Sequence, residues 1–517
     1  MDQDNLTAKQ TGPDGRSQYA VFLPAISGFY ATFIGKQRDP VNGPYVDPNR
    51  FPQGLTDMEQ LNWLNSQQAL FPYKWSLYSG GHANLDLNKQ DWSEDMVRNR
   101  PRGTFMLGDS GGFQIAKGLW EGDWRANSGC ARAQKKRESV LNWLDNIADY
   151  GMILDIPTWV IHDKKASRAC KITTLQEAVD ATKFNNEYFM AHRKGVANGG
   201  TRFLNVLQGD NHSSAEEWYQ IMKHYCDPQQ YPGTHFDGWA MGGQNMCDVH
   251  LVLKRLVALR YDNLLQEGRH DWMHFLGTSK LEWAVLLTVI QRAIRRHVNP
   301  NFTISFDCAS PFLATANGQV YHHIDLPHDE KWCYRMSPTV DDKKYATDTR
   351  PYKDVVINEG FVDHFDESPV SRLLKVKDIC FYKPGDLNKI KKEGNTSWDS
   401  FSYALLMAHN VWTHIEAVQR ANREFDAGQH PAMMRYSAPS AEYFEDIVES
   451  IFAAPDRTTA EAIIDHYSQY WMEIVGTRGF KGKKTMNANT MFNMLFEHVE
   501  EEPNLDENKL DQLEESQ

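Results

Sequence analysis

Short apolar runs alternate with amphipathic stretches from residue 104 to about residue 310. The runs are apolar almost throughout, which is typical of strands buried on both faces of a sheet. A strand followed by a helix, repeated several times, indicates parallel strands joined by right-handed crossovers. The pattern therefore predicts an α/β fold, either a closed barrel or a doubly wound sheet. The predicted strands are FMLGD (105–109), GMILD (151–155), RFLNVLQ (202–208), DGWAMGG (237–243), MHFLGT (273–278) and TISFD (303–307).

Helices are predicted between and after these strands. The stretch TLQEAVDATKFNNEYFMAHRKG begins with a capping box from Thr174 to Glu177, and SKLEWAVLLTVIQRAIRRH ends in a basic last turn. Residues 320–400 are polar, aromatic and irregular, which predicts long rim loops or a small inserted subdomain. Three later stretches are expected to form helices on the side of the main domain: SFSYALLMAHNVWTHIEAVQRANREFD, SAEYFEDIVESIFAA and AEAIIDHYSQYWMEIV.

Polar residues stand at the carboxyl ends of the predicted strands. Asp109, Asp155 and Asp307 each end a strand. A single carboxylate in such a place is ordinarily a helix cap. In an eightfold barrel, however, the carboxyl ends of all strands meet on one face, where catalytic groups from distant parts of a chain come together. Three carboxylates on that rim predict a functional site. The other strand ends carry Gln208, Gly242-Gly243 and Gly277-Thr278.

The segment GDSGGFQ, residues 108–114, contains the Gly-Asp-Ser-Gly-Gly motif that surrounds the nucleophilic serine of chymotrypsin-like proteases. That mechanism needs a histidine and an aspartate upstream of the serine, and His82 is the only histidine before Ser110. The sequence therefore favours Asp109, rather than Ser110, as the chemically important residue of this motif.

Six segments together resemble the barrel motifs of the tRNA-guanine transglycosylase superfamily, in order and in spacing. The resemblance covers roughly residues 100–320 and, less clearly, MAHN at 407–410. It implies a (β/α)8 TIM barrel that exchanges a guanine in a polynucleotide for a free 7-deazaguanine base. The segments are FMLGDSGGFQ, YGMILDIPT, FLNVLQGD, DGWAMGGQN, HFLGTSKLEW and ISFDCASPFLATANG.

The resemblance also implies a role for each residue type. Asp307 would be the nucleophile and Asp109 the acid and base. One carboxylate would trap the sugar as a covalent intermediate, while the second protonates the departing base and deprotonates the incoming one. No cofactor is needed for this chemistry. The base would be held by Asp155, Gln208, the Gly242-Gly243 backbone and the Ser110, Gly111, Gly112 and Phe113 segment.

The tRNA-modifying members of the superfamily carry a CxCxxC motif and a later histidine as a structural zinc site. The corresponding region here, DESPVSRLLKVKDICFY, has one cysteine, Cys380, and the later histidine is His409. Two ligands do not make a structural zinc site unless Cys333 or His364 completes it in space. Structural zinc is therefore not expected. The histidines at 322, 323 and 328 are interpreted as rim or surface residues.

The motif ILDIPT and the loss of the zinc cysteines resemble the DNA 7-deazaguanine transglycosylases of phages and bacterial DNA-modification clusters. That branch implies DNA as the partner and 7-cyano-7-deazaguanine, or a close relative, as the incoming base. The modification would protect DNA from restriction. The target nucleotide would have to be extruded from the duplex. A duplex-opening ATPase or helicase partner and the oligomeric state are left open.

The net charge of −13 is concentrated at one end of the chain, because residues 497–517 contain nine acidic residues and one lysine. This tail is expected to be disordered. The preceding loop TRGFKGKKT, residues 477–485, alternates cations, glycines and a phenylalanine, which is typical of a nucleic-acid contact. The expected contact residues in it are Arg478, Lys481, Lys483 and Lys484.

Composition indicates a cytoplasmic protein. The seven cysteines are scattered without a CxxC pair, the first residues are polar, and no apolar run is long enough to cross a membrane. We divide the chain into a polar segment (1–20), a barrel (21–420) with an insertion (320–400), a helical extension (421–496) and the acidic tail (497–517).

Three alternative functions remain open at this stage. The same chemistry could act on tRNA. The chain could be a non-catalytic subunit that binds nucleic acid, although such a subunit has no need of all three aspartates. A barrel glycoside hydrolase could use two of the carboxylates, but it gives no reason for Gln208 or for the Gly242-Gly243 pair.

Overall fold

The computed structural model describes residues 4–246, 248–381, 396–436, 442–476 and 509. Eight parallel strands form one sheet in the order β1-β8-β7-β6-β5-β4-β3-β2. The sheet closes because Ala25 forms a parallel bridge with Leu77, whose carbonyl accepts the Ile26 N–H at 2.9 Å. The strands are β1 (Val21–Pro24), β2 (Trp75–Ser79), β3 (Phe105–Asp109), β4 (Tyr150–Met152), β5 (Arg202–Leu207), β6 (Gly238–Met241), β7 (Trp272–Phe275) and β8 (Thr303–Cys308).

The predicted (β/α)8 TIM barrel is therefore confirmed, and the doubly wound sheet is wrong. All six predicted strands are present, but the run at 151–155 is a strand only over Tyr150–Met152. The prediction missed β1 and β2, which lie before the region where strands and helices alternate regularly. Their sequences are VFLP and WSLYS.

Helices connect the strands and cover the barrel. They are α1 (Leu6–Gln10), α2 (Gly28–Gln37), α3 (Asp95–Arg98), α4 (Gly112–Ala116), α5 (Ala131–Ile147), α6 (Lys164–Cys170), α7 (Leu175–His192), α8 (His212–Met222), α9 (Val249–Tyr261), α10 (Leu281–His297), α11 (Ser310–Ala316), α12 (Tyr352–Asn358), α13 (Val376–Ile379), α14 (Ser400–Asp426), α15 (Phe444–Ala453), α16 (Arg457–His466) and α17 (Ser468–Gly476). In the described part of the chain, none of them combines the length and the apolar character that a membrane crossing requires.

The cap of α7 differs in detail from the predicted capping box. The Thr174 side chain accepts the Glu177 backbone N–H, as predicted. The Glu177 carboxylate, however, accepts the backbone N–H and the hydroxyl of Thr173, each at 2.8 Å. The reciprocal bond therefore forms one residue earlier in the chain than the motif predicts.

Aromatic side chains fill the amino-terminal end of the barrel. Phe105, Tyr150 and Trp272 are the first residues of β3, β4 and β7. The rings of Phe105 and Trp272 stack with centroids 4.3 Å apart, and the Tyr150 ring lies 5.4 Å from that of Trp272. Since β3 and β7 are not neighbours in the sheet, this contact crosses the barrel. The opposite end, where the strands finish, is left for polar residues.

The predicted insertion contains a two-stranded hairpin of β9 (Gln319–Asp325) and β10 (Cys333–Pro338). Helix α14 follows it and packs on α10 and α11, and it runs continuously across residue 420, where we divide barrel from extension. Two short strands, β11 (Arg435–Tyr436) and β12 (Glu442–Tyr443), precede the last helices. The loop 477–485 lies outside the described residues, as does the acidic tail apart from Lys509.

Candidate active site

A cavity of about 300 Å³ opens at the carboxyl ends of the strands. Its size is that of a small-molecule site. Asp109, Asp155 and Asp307 all line it, and they come from the ends of β3, β4 and β8. The predicted convergence of the three carboxylates is therefore present. Other predicted site residues that line the cavity are Gly112, Phe113, Gln208, Gly242 and Gly243.

Asp109 is held by the neighbouring strand. It is the last residue of β3 and lies opposite Ser79 of β2, whose hydroxyl donates to Asp109 Oδ2 at 2.7 Å. Burial raises the pKa of Asp109, and the nearby Asp307 carboxylate adds to the rise, while the Ser79 hydroxyl and the Gly111 N–H act against it. Compared with water, the site therefore shifts Asp109 toward its protonated form, which is the form that can donate a proton.

Asp155 lies three residues beyond β4 and is buried. The Gln208 side-chain amide donates to its Oδ2 at 2.7 Å. Burial raises the pKa of Asp155 to about 7, with a further contribution from the Asp109 carboxylate. Near neutral pH this group exists in both protonation states, so a ligand that donates hydrogen bonds to it would draw it to the ionised state.

Asp307 is oriented by a chain of hydrogen bonds that begins inside the barrel. The Trp272 indole N–H donates to Ser305 Oγ at 2.8 Å, and Ser305 Oγ lies 2.8 Å from His274 Nδ1. Because Ser305 accepts from Trp272, its own proton is free to point at Nδ1, which leaves the proton of His274 on Nε2. That Nε2 lies 3.0 Å from Asp307 Oδ1.

The second oxygen of Asp307 is available for chemistry. Oδ1 also accepts the Gly277 N–H at 3.1 Å, so one oxygen has two partners. Among the described residues, Oδ2 has no hydrogen-bond partner. An oriented carboxylate with one uncommitted oxygen is what a nucleophile requires.

Two adjacent glycines, Gly242 and Gly243, shape the cavity wall beside Gln208. Gly243 has a φ of +56°, and a Cβ there would lie 2.3 Å from the Gly209 carbonyl oxygen. A Cβ on Gly242 would lie 2.6 Å from Gln208 Nε2. Larger residues at these positions would displace Gln208, which in turn holds Asp155. The Gly242-Gly243 pair therefore has a steric reason within the protein.

Two predicted contact residues do not line the cavity. Ser110 is buried, and its hydroxyl donates to the Ile153 carbonyl at 2.9 Å. No histidine is bonded to it, so the geometry of a serine protease is absent from the described residues. Gly111 has a φ of +85° and packs beneath the Trp120 ring. A contact of either residue with a base stays a prediction, and the Ser110 hydroxyl already has a partner.

Sequence reasoning missed several residues of the site. Ser79 is the last residue of β2 and Ser27 follows β1, and neither strand was recognised in the sequence. Trp159 comes from the loop after Asp155, and its ring lies 6.0 Å from that of Phe113. His274 had a visible signal, because a lone histidine interrupts the apolar run WMHF. An inward-facing histidine in a barrel strand needs a partner on the next strand, which here is Asp307.

The candidate zinc ligands are not brought together. Cys333, Cys380, His364 and His409 form no group with mutually close ligand atoms in the described part of the chain. His409 instead lies with Nδ1 2.8 Å from Ser368 Oγ and Nε2 2.8 Å from the Tyr321 carbonyl. The predicted nucleic-acid contacts Arg478, Lys481, Lys483 and Lys484 lie outside the described residues.

No protein-family model matches this chain, and a search of curated proteins finds no relative of it. The fold and the site therefore define the class on their own. The chain is an α/β barrel with three carboxyl groups around one cavity at the carboxyl ends of its strands.

The raised pKa of Asp155 predicts a pH-dependent cost in stability. An aspartate in the unfolded chain ionises near pH 3.8, whereas the folded group keeps its proton until about pH 7. The retained proton of Asp155 therefore favours the folded state in acid. This contribution to the free energy of unfolding is lost as the pH rises between the two pKa values. Asp155→Asn keeps an acceptor for Gln208 but removes the titration. We expect the stability of the variant relative to the wild type to increase by about 2 kcal/mol between pH 5 and pH 7.

Urea unfolding of both proteins at pH 5, 6, 7 and 8 measures this difference. The surface variant Glu121→Gln is the control for loss of a carboxylate, since the Glu121 side chain is 76% exposed. A stability difference between Asp155→Asn and wild type that is the same at every pH would contradict the assignment.

Proposed function

We propose that this protein is a guanine transglycosylase that replaces guanine in DNA with a free 7-deazaguanine base. The observation that carries the proposal is that the three carboxyl groups around one cavity have different hydrogen-bond partners and different electrostatic environments. Asp307 is oriented with an uncommitted oxygen, Asp109 has a raised pKa, and Asp155 is held by an amide. Base exchange needs a nucleophile, an acid and a base-recognition group, and these environments suit the three tasks in that order.

The reaction proceeds in two balanced steps. Oδ2 of Asp307 attacks the anomeric carbon, a carbon–oxygen bond forms and the carbon–nitrogen bond to guanine breaks. Asp109 gives its proton to the departing guanine. The incoming base then loses its proton to Asp109 and attacks the same carbon, which releases Asp307 as a carboxylate. Neither step needs an oxidant, a reductant or a nucleotide cofactor.

Base recognition falls to Asp155 and the residues near it. The Watson–Crick edge of guanine offers two adjacent N–H donors, and an ionised carboxylate accepts both, whereas adenine has no equivalent pair. Gln208 lines the cavity, and its buried Oε1 has no hydrogen-bond partner among the described residues. Phe113 and Trp159 provide aromatic surface for a flat ring.

Basic and aromatic side chains lie beside the cavity and support a polynucleotide substrate. Lys117 lies over the Phe113 ring at 4.6 Å, and Lys136 lies over the Trp120 ring at 4.7 Å. Such alternation is typical of a surface that follows a single strand. Further cations on this side are Arg132 and Lys135, which border the same hollow as Trp120, and Lys164, Lys165 and Arg168 on α6, which packs against α4.

DNA is preferred to tRNA because of the sequence resemblance and because the candidate zinc ligands are not grouped.

A glycoside hydrolase is the weaker alternative function. Two carboxylates suffice for that reaction. It leaves Asp155 and its Gln208 partner without a task.

The first prediction concerns the exchange itself. Purified protein, DNA labelled in guanine and free 7-cyano-7-deazaguanine should release labelled guanine, and Asp307→Asn should abolish release. Asp14→Asn, an exposed carboxylate with a 53% exposed side chain, should leave release unchanged. Release of guanine from tRNA but not from DNA would support the base-exchange reaction and contradict DNA as its substrate. Failure with both nucleic acids and with a denatured single strand would overturn the proposal.

The second prediction concerns His274 as a positioning residue. His274→Phe removes the donor to Asp307 Oδ1, and misplacement of a nucleophile costs on the order of 100-fold in turnover. Guanine affinity should stay within about twofold, because binding falls to Asp155 and Gln208. His274→Gln, which retains a donor, should recover part of the loss. Equal turnover of the Phe and Gln variants would argue for a merely structural role.

The third prediction concerns the basic surface. In an Asp307→Asn background, Lys135→Gln/Lys136→Gln should weaken DNA binding and lower the slope of log K against log salt by about 2, since each phosphate contact contributes about 0.9. The matched control is Lys74→Gln/Arg102→Gln, which removes two cations at the amino-terminal end of β2 and β3. Equal slopes for the two double variants would place the DNA elsewhere.

A further inference from the structure

We propose that His323, His364 and Asp366 form a binding site for a divalent transition metal of the zinc class. The site lies outside the cavity of the candidate active site: His323 is on β9 of the hairpin, and His364 and Asp366 are in the segment after α12. It is independent of the proposed transglycosylase function. The sequence interpretation of His323 as a surface histidine did not connect it with Asp366, which is 43 positions away.

The three donors are already close together. Their ligand atoms all lie within 4.8 Å of one another. His323 Nδ1 is 3.2 Å from Asp366 Oδ2, and His364 Nε2 is 2.9 Å from Asp366 Oδ1. Tetrahedral zinc with bonds of about 2.0–2.1 Å places neighbouring ligand atoms about 3.3 Å apart. A metal could therefore replace the two hydrogen bonds with small side-chain movements.

Backbone contacts fix Asp366 against β9. The Asp366 N–H donates to the His322 carbonyl at 2.7 Å, and the Ile324 N–H donates to Asp366 Oδ2 at 2.9 Å. These two contacts hold the Asp366 carboxylate beside His323 and His364.

A shift in the register of the hairpin places His322 where it supports the ligand His364. Opposite Arg335 lies His323, but opposite Met336 lies Tyr321, so His322 has no partner in the register. Bulges of this kind redirect side chains. His322 Nδ1 lies 3.0 Å from the His364 carbonyl, and its Nε2 lies 3.0 Å from Ser337 Oγ. His322 therefore braces the backbone that carries His364, as outer residues do around metal ligands.

The donor set decides which metals suit the site. Two imidazoles and one carboxylate match zinc, whereas calcium and magnesium prefer oxygen ligands alone. The His364 side chain is 60% exposed, so solvent can reach the remaining coordination positions. A metal here would join β9 to the segment around residues 364–366. The expected effect is a more stable insertion.

The test uses the full-length protein after treatment with a chelator. Zinc is titrated in competition with a chromophoric chelator, and metal content is counted after dialysis. We expect His364→Ala and His323→Ala each to bind one zinc fewer per chain than the wild type. The control is His328→Ala, an exposed histidine paired with Asp329 outside the cluster, which should bind as the wild type does.

Thermal unfolding provides a readout that does not depend on activity. Zinc should raise the Tm of the wild type and of His328→Ala, but not that of His364→Ala. Circular dichroism establishes that each variant is folded. Equal zinc content and equal Tm shifts in the wild type, His364→Ala and His323→Ala would overturn the proposal, as would a wild type that binds no zinc.

Discussion

Three carboxyl groups share one small cavity at the end of a barrel, and they cannot all be ionised there without a large cost. The protein meets this constraint by giving each group a different environment. Asp109 and Asp155 have raised pKa values because they are buried, and each feels the charge of another aspartate. Asp307 instead receives two partners on one oxygen. The roles that we propose for the three groups, as acid, hydrogen-bond acceptor and nucleophile, follow from these differences in environment.

Side chains inside the barrel orient one of the carboxyl groups of the site. Trp272 belongs both to the aromatic stack at the amino-terminal end and to the hydrogen-bond chain that leads through Ser305 and His274 to Asp307. Residues two apart on a strand face the same side, so β7 and β8 each supply two members of the chain. Packing at one end of the barrel is thereby coupled to the orientation of a carboxylate at the other.

The sequence was sufficient for the barrel and for the convergence of the aspartates. Asp109, Asp155 and Asp307 stand at the ends of apolar runs, and parallel topology alone then brings them to one face. Strands β1 and β2 were missed because their connections are long and irregular. Their loss concealed Ser79, the partner of Asp109.

Other features of the structure could not be predicted from the sequence alone. The Ser110 hydroxyl donates to the Ile153 carbonyl, a contact between the segments that follow β3 and β4, and no local motif encodes it. His323 and Asp366 meet because a distant segment lies along an edge of the hairpin. Local patterns predict elements and their ends, whereas contacts between unconnected loops depend on the path of the chain.

The aromatic stack of Phe105, Tyr150 and Trp272 has a kinetic consequence. The three rings pack across the amino-terminal end of the barrel, so under the proposed function a base would enter and leave the cavity at the carboxyl ends of the strands. In a cavity of about 300 Å³, the outgoing purine would then stand in the way of the incoming one. Exchange would then follow ping-pong order, with released guanine competing directly with its replacement for the covalent intermediate.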